Sequence, residues 1–155
     1  MDEKLLCIYL NDHLAGSTAG IELVRRARSE NEGSELGRFL AELGAEIEDD
    51  RQALREIMDR LGLRRDPTKI AGGWVLEKMG RLKLNGQLRG YSPLSRLVEL
   101  EALALGVTGK LAAWKALRQL ADSEPALDPQ ALDGLIERAE RQQRGLEEHR
   151  LAAAR

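Results

Sequence analysis

A chain of 155 residues with 43% hydrophobic and 32% charged side chains is the size of one domain, large enough to bury a core without metal or disulfide staples. Cys7 is the only cysteine, which excludes an internal disulfide framework and a thiolate metal site, and no window is apolar for long enough to span a bilayer. The net charge of −2 conceals an asymmetry: residues 34–61 carry eight acids and four arginines, for −4, whereas residues 62–92 carry seven basic residues and two acids, for +5. The opening Met1-Asp2-Glu3-Lys4 and the short apolar run Leu5 to Leu10 do not resemble a signal peptide, so the expectation is a soluble cytoplasmic protein.

The first predicted helix covers residues 3–29. Leu6, Leu10, His13, Ser17, Gly20, Val24 and Ala27 recur at alternating spacings of three and four, the signature of one inward helix face. Asn31-Glu32-Gly33 is a short polar turn, and a second helix over 35–61 follows with Ser34 as its cap. Its stripe is Leu36, Leu40, Leu43, Ile47, Asp50, Leu54, Ile57 and Leu61, and Gly62 is placed to end it in the left-handed conformation. So short a connection makes the two helices antiparallel neighbours.

Three later helices each open on a capping residue followed by proline: Asp66-Pro67, Ser92-Pro93 and Asp128-Pro129. Proline is tolerated there because its missing N–H would have no intrahelical partner. The first of them, over 67–80, is a short helix through Trp74, Leu76 and Met79, and Gly80, Gly86 and Gly90 then mark a loop-rich stretch. The helix over 93–121 is apolar round most of its circumference, from Leu94 and Leu97 to Trp114 and Leu117, and is therefore expected to be the most buried. The last helix, over 129–153, carries the stripe Leu132, Leu135, Ala139, Gln142, Leu146, His149 and Ala153.

Two helical hairpins joined by a long connection, with helices of about 25 residues or roughly 38 Å, resemble the ferritin-like four-helix bundle over nearly the whole chain. An up-and-down bundle is the competing topology, but a connection spanning 62–92 is far longer than adjacent helices need. The resemblance implies an all-α single domain over 1–155. In metal-bearing bundles of this kind it also implies one Glu from each of two helices and Glu-x-x-His from the other two. This chain has no Glu-x-x-His: Leu146 stands three before His149 and Leu10 three before His13, and the nearest relic is Glu46-x-x-Asp49. The middle of the first helix offers Ser17 and Gly20, that of the third Ala104 and Thr108, and that of the fourth Ala139 and Gln142. Neutral amides and hydroxyls compete poorly for iron. The expectation is a non-catalytic bundle with no cofactor, a structural or protein-interaction module. The alternative is an oxidoreductase or metal store with a variant site drawn from Glu22, Glu46, Asp49, Asp50, Glu101, His13 and His149.

Both histidines lie on apolar stripes, and each hairpin brings an acid level with one of them. Folding the first hairpin about residues 31–32 sets His13 beside Asp50, and folding the second about residue 125 sets His149 beside Glu101. These pairs read either as buried ion pairs that fix register or as charged sites for metal, proton or ligand. In the crossover topology they fall near opposite ends of the bundle.

Arg64, Arg65, Lys69, Lys78, Arg81, Lys83 and Arg89 could contact phosphate in a strongly salt-dependent way. They could equally lie against the acidic flank of the second helix at Glu48, Asp49, Asp50, Glu56 and Asp59, and that internal use is favoured. Nucleic acid is not the expected partner, because the chain is acidic overall and its few aromatics offer little stacking surface. Trp74 and Trp114 read as core anchors, Cys7 as a small core residue, and Ser17 and Gly20 as small residues for close helix packing. The surplus of apolar helix surface on the first and third helices suggests a homodimer face.

Overall fold

The computed structural model describes residues 2–66 and 91–155, which form four helices: α1 (Glu3–Glu30), α2 (Glu35–Arg60), α3 (Pro93–Leu120) and α4 (Pro129–Ala153). The predicted short helix over 67–80 lies outside the described residues. Each helix start is satisfied by an oxygen of the residue before it. Asp2 accepts from the Leu5 amide at 3.1 Å, Ser34 from Gly37 at 3.0 Å, Ser92 from Ser95 at 3.1 Å, and Asp128 from Gln130 and Ala131 at 2.9 and 3.2 Å. Pro93 and Pro129 occupy the first helical positions, as their sequence context requires.

Gly62 ends α2 with φ +68°, and the Leu63 amide folds back onto the Met58 carbonyl at 2.9 Å. Gly37 has a different reason: a Cβ there would sit 2.2 Å from the Asn31 carbonyl oxygen, so only hydrogen lets the turn close on α2.

The packed pairs are α1 with α2, α3 with α4, α1 with α3, and α2 with α4. All four are antiparallel. Arg118 meets Asp133 at 2.9 Å near one end of the α3–α4 pair, and Arg150 meets Glu101 at 3.4 Å towards the other. Arg26, late in α1, binds Glu99, early in α3, while Leu10 and Leu14 share a cluster with Leu111 and Leu117. On the α2–α4 pair, Phe39 meets His149 and Asp50 meets Arg138. In an up-and-down bundle α1 and α3 would be diagonal; here they are neighbours, and α2 and α3 lie on the diagonal, parallel to each other.

The described chain therefore leaves and re-enters the bundle at opposite ends. At one end Asn11 donates to the Arg64 carbonyl at 2.9 Å and accepts from the Asp66 amide at 2.7 Å. At the other, Asn31 donates to the Tyr91 hydroxyl at 2.9 Å, and Tyr91 donates to Glu99 at 3.0 Å. Asn11 and Asn31 are twenty residues apart on and just past α1, about 30 Å at helical rise.

The core falls into two apolar clusters. One gathers Leu10, Leu14, Leu54, Ile57, Met58, Trp114, Leu117 and Leu132; the other gathers Ile21, Val24, Leu40, Leu43, Leu100, Leu103 and Leu146. Trp114 is a core anchor at 2% exposure, as expected, and Cys7 is half-buried at the edge of the first cluster. The apolar surface of α3 is not buried all round: Leu94 and Leu105 are 57% and 69% exposed. A helix in a four-membered ring turns one sector outward whatever its sequence, and on α3 that sector happens to be apolar. No described helix is long and apolar enough to cross a membrane.

Gly37→Ala forces a Cβ into backbone and should cost about 1–3 kcal/mol in urea unfolding. Gly16→Ala, whose Cβ meets nothing within 4 Å, should be neutral or stabilise by up to ~1 kcal/mol. Equal effects at the two sites would contradict this account of α2's start.

Candidate functional site

Between the two apolar clusters lies a polar layer to which every helix contributes. Ser17 falls between Leu14 and Ile21, Asp50 between Ile47 and Leu54, Lys110 between Val107 and Trp114, and Gln142 between Ala139 and Leu146. Asp50 is the centre of the layer, at 2% exposure. Its Oδ2 accepts from the Lys110 ammonium, which reaches across the diagonal from α3 to α2. Arg138 Nε lies 2.8 Å from Asp50 Oδ1 as an ion pair, with its N–H off the line of a hydrogen bond. Gln142 completes the set: its Oε1 accepts from Lys110, and its Nε2 donates to Glu46 Oε2 at 2.8 Å. That amide orientation alone gives the ammonium an acceptor and the carboxylate a donor.

Burial pulls Lys110 below the ordinary lysine value, and Asp50 acts against that pull. The arrangement is a set of fixed charges neutralised within the protein. No pair of its groups is placed as nucleophile and base.

Beside the layer, a groove of about 390 Å³ opens between α1 and α3, with α2 as its floor. His13, Gly16 and Gly20 line it from α1, Asp50 and Arg51 from α2, and Gly106, Gly109, Lys110 and Trp114 from α3. A Cβ on Gly20 would meet nothing within 4 Å, so Gly20 does not serve the close helix packing expected of it.

The two expected acid–histidine pairs do not form. Asp50 takes Lys110 and Arg138 instead of His13, whose ring stands edge-on to Tyr9 at 4.6 Å. Glu101 takes Arg150 at 3.4 Å instead of His149, which lies against Phe39 with ring centres 4.5 Å apart. The levelling was sound for the first pair, since His13 and Asp50 line one groove, but longer cations from α3 and α4 reach each acid first. Burial also lowers the His13 pKa, against a smaller opposing effect of Asp12.

The candidate metal ligands are dispersed. Glu22 is exposed and bound to Arg25 at 3.0 Å, Asp49 is exposed at 4.0 Å from Arg138, and Glu46 and Asp50 are engaged as described. Among the described residues no three of His, Cys, Asp and Glu converge on a point. The donor set does not fit a dimetal centre, because two cations of the protein hold Asp50 and the Gln142 amide holds Glu46. Mid-helix Thr108 faces out, donating to the Ala104 carbonyl at 2.8 Å, and the inward position in α3 belongs to Lys110.

Of the basic connection, Arg64 and Arg65 are exposed at the end of α2, and Arg65 pairs with Asp59 at 3.2 Å. Lys69, Lys78, Arg81, Lys83 and Arg89 lie outside the described residues. The remaining flank acids pair elsewhere: Glu48 with Arg51, Glu56 with Gln52, and Asp49 and Asp50 with Arg138.

Sequence reading missed Lys110, Arg138, Arg51 and Glu99. Lys110 had a signal, for Leu100, Leu103, Val107, Lys110, Trp114 and Leu117 run at spacings of three and four, placing the lysine on a buried stripe. No protein-family model, curated protein or solved structure matches this chain.

The half-buried His13 gives a test of this layer's surroundings. Its folded pKa lies below the ordinary 6.5, so the unfolded chain takes up the proton first as pH falls. The stability it contributes is present above pH 6.5 and is lost as pH falls through the folded value. His13→Gln should flatten the melting temperature between pH 7.5 and 5 relative to the parent. Superimposable profiles would refute the burial assigned to this ring.

Proposed function

We propose that this chain is a ferritin-like bundle without a dimetal centre, working as a non-catalytic structural or binding module. The ferritin-like reading is supported by the order of packed pairs, with α2 and α3 on the diagonal and the chain crossing from one end of the bundle to the other. The observation that carries the functional reading is Lys110. Its ammonium occupies the polar layer between Asp50 and Gln142, so the interior carboxylate already has a cation supplied by the protein.

The competing reading, a metal site through Glu46 and Asp50, would require Lys110 and Arg138 to withdraw from the layer. Stripping the buried Asp50 of two cations to admit a metal ion has no support in the donor chemistry. The test is elemental analysis of protein purified without chelator, with thermal melts after addition of iron, manganese or zinc. The proposal expects substoichiometric metal and an unchanged melt. Stoichiometric metal that disappears in Glu46→Gln or Asp50→Asn would overturn it.

A further inference from the structure

The groove between α1 and α3 has features the polar layer does not need. Gly16, Gly20, Gly106 and Gly109 line it from two helices, and among the described residues a Cβ on any of them would meet no atom of a neighbouring helix within 4 Å. Glycine inside a helix weakens it relative to alanine, and here no close backbone approach compensates. At about 390 Å³ the space is in the range of small-molecule sites, and Leu23, Leu54, Leu103 and Val107 give it apolar walls.

Two donors in those walls lack acceptors among the described residues. Trp114 is 2% exposed and its indole N–H is buried without a hydrogen-bond partner. The Arg51 side chain is only 17% exposed, and among the described residues its Nε is buried without a partner and its one ion pair is a loose 3.6 Å contact with Glu48. Buried polar groups ordinarily find partners, and a guanidinium fork matches a carboxylate. Lys110 stands in the same wall, held by Asp50 and Gln142, and Arg51 sets a second cation beside it whose one paired acid among the described residues, Glu48, is half exposed. The remaining acid of the lining, Asp12, is exposed.

We infer that this groove binds a small amphipathic carboxylate, with its apolar body along the glycine-lined channel and its head group on Arg51 and Lys110. The inference deepens the binding-module reading and rests on it only in leaving the polar layer free of metal. Stoichiometric metal in the elemental analysis would sink that reading, whereas the experiment below can sink this inference alone.

The test is isothermal titration of the full chain with decanoate, decanol and decylammonium, with the protein's mass in solution measured in parallel. The groove predicts one saturable decanoate site per chain, at least about tenfold tighter than either of the other two ligands. Gly20→Leu and, independently, Gly109→Leu fill the channel and should remove binding while keeping a cooperative melt. Arg51→Gln should weaken decanoate about tenfold and leave decanol unchanged. Equal affinity for all three ligands would overturn the inference, as would binding that persists in both filled variants, or no saturable decanoate binding. A dimer that Gly20→Leu converts to monomer would also overturn it, by making a second copy of the chain the occupant.

Discussion

A carboxylate at the centre of a four-helix bundle is the constraint around which this structure is arranged. Asp50 retains 2% of its exposure, and a lone charge there would be prohibitively desolvated. Its compensation comes from two other helices: Lys110 across the diagonal from α3, and Arg138 from the neighbouring α4. Each of these long side chains reaches Asp50 from only a narrow range of helix positions. The network therefore fixes the register of three helices, and Gln142 joins Glu46 to it. Apolar clusters on either side could tolerate small slips of one helix past another, whereas a buried ion pair could not. The gain is in specificity of assembly more than in stability, because desolvating the three charges offsets most of their attraction.

The bundle's ends are held by a second kind of polar contact. Asn11 satisfies backbone groups at Arg64 and Asp66, and Asn31 joins the turn after α1 to Tyr91 and, through it, to Glu99. Glu99 is itself buried, with Arg26 of α1 as its counter-charge at 2.6 Å. Both points where the described chain departs from the bundle are thus tied to α1. The central layer sets the helices' register, and the asparagine contacts set which ends the connection joins.

Much of this was legible in the sequence, and what was not has a physical reason. Helix limits were readable because Ser34, Ser92-Pro93, Asp128-Pro129 and Gly62 act on backbone groups a few residues away, and the observed ends fall within a residue of expectation. Asp50 and Gln142 stood out on their apolar stripes. The partners of Asp50 did not, because levelling a hairpin compares only helices consecutive in sequence. The contacts from Asp50 to Arg138 and to Lys110 join different hairpins. The width of apolar surface on α3 did not say which apolar residues would face out, and Leu105, on the outward sector, stays exposed. The groove was hidden for a related reason: glycine on a helix reads alike whether a neighbour approaches it or leaves it open. What separates the two is that, among the described residues, no neighbouring helix comes within 4 Å of a Cβ at Gly16, Gly20, Gly106 or Gly109.

The most direct measurement is a double-mutant cycle on Asp50→Asn and Lys110→Met, read by urea unfolding. If the ammonium is the counter-charge that holds the layer, the two substitutions should be strongly non-additive, with a coupling of about 1–3 kcal/mol. Either change alone leaves a buried group without its partner, so the double variant should be more stable than the sum of the single losses predicts. Additive losses within about 0.5 kcal/mol would mean that Lys110 and Asp50 do not interact in solution, and the central claim would fall.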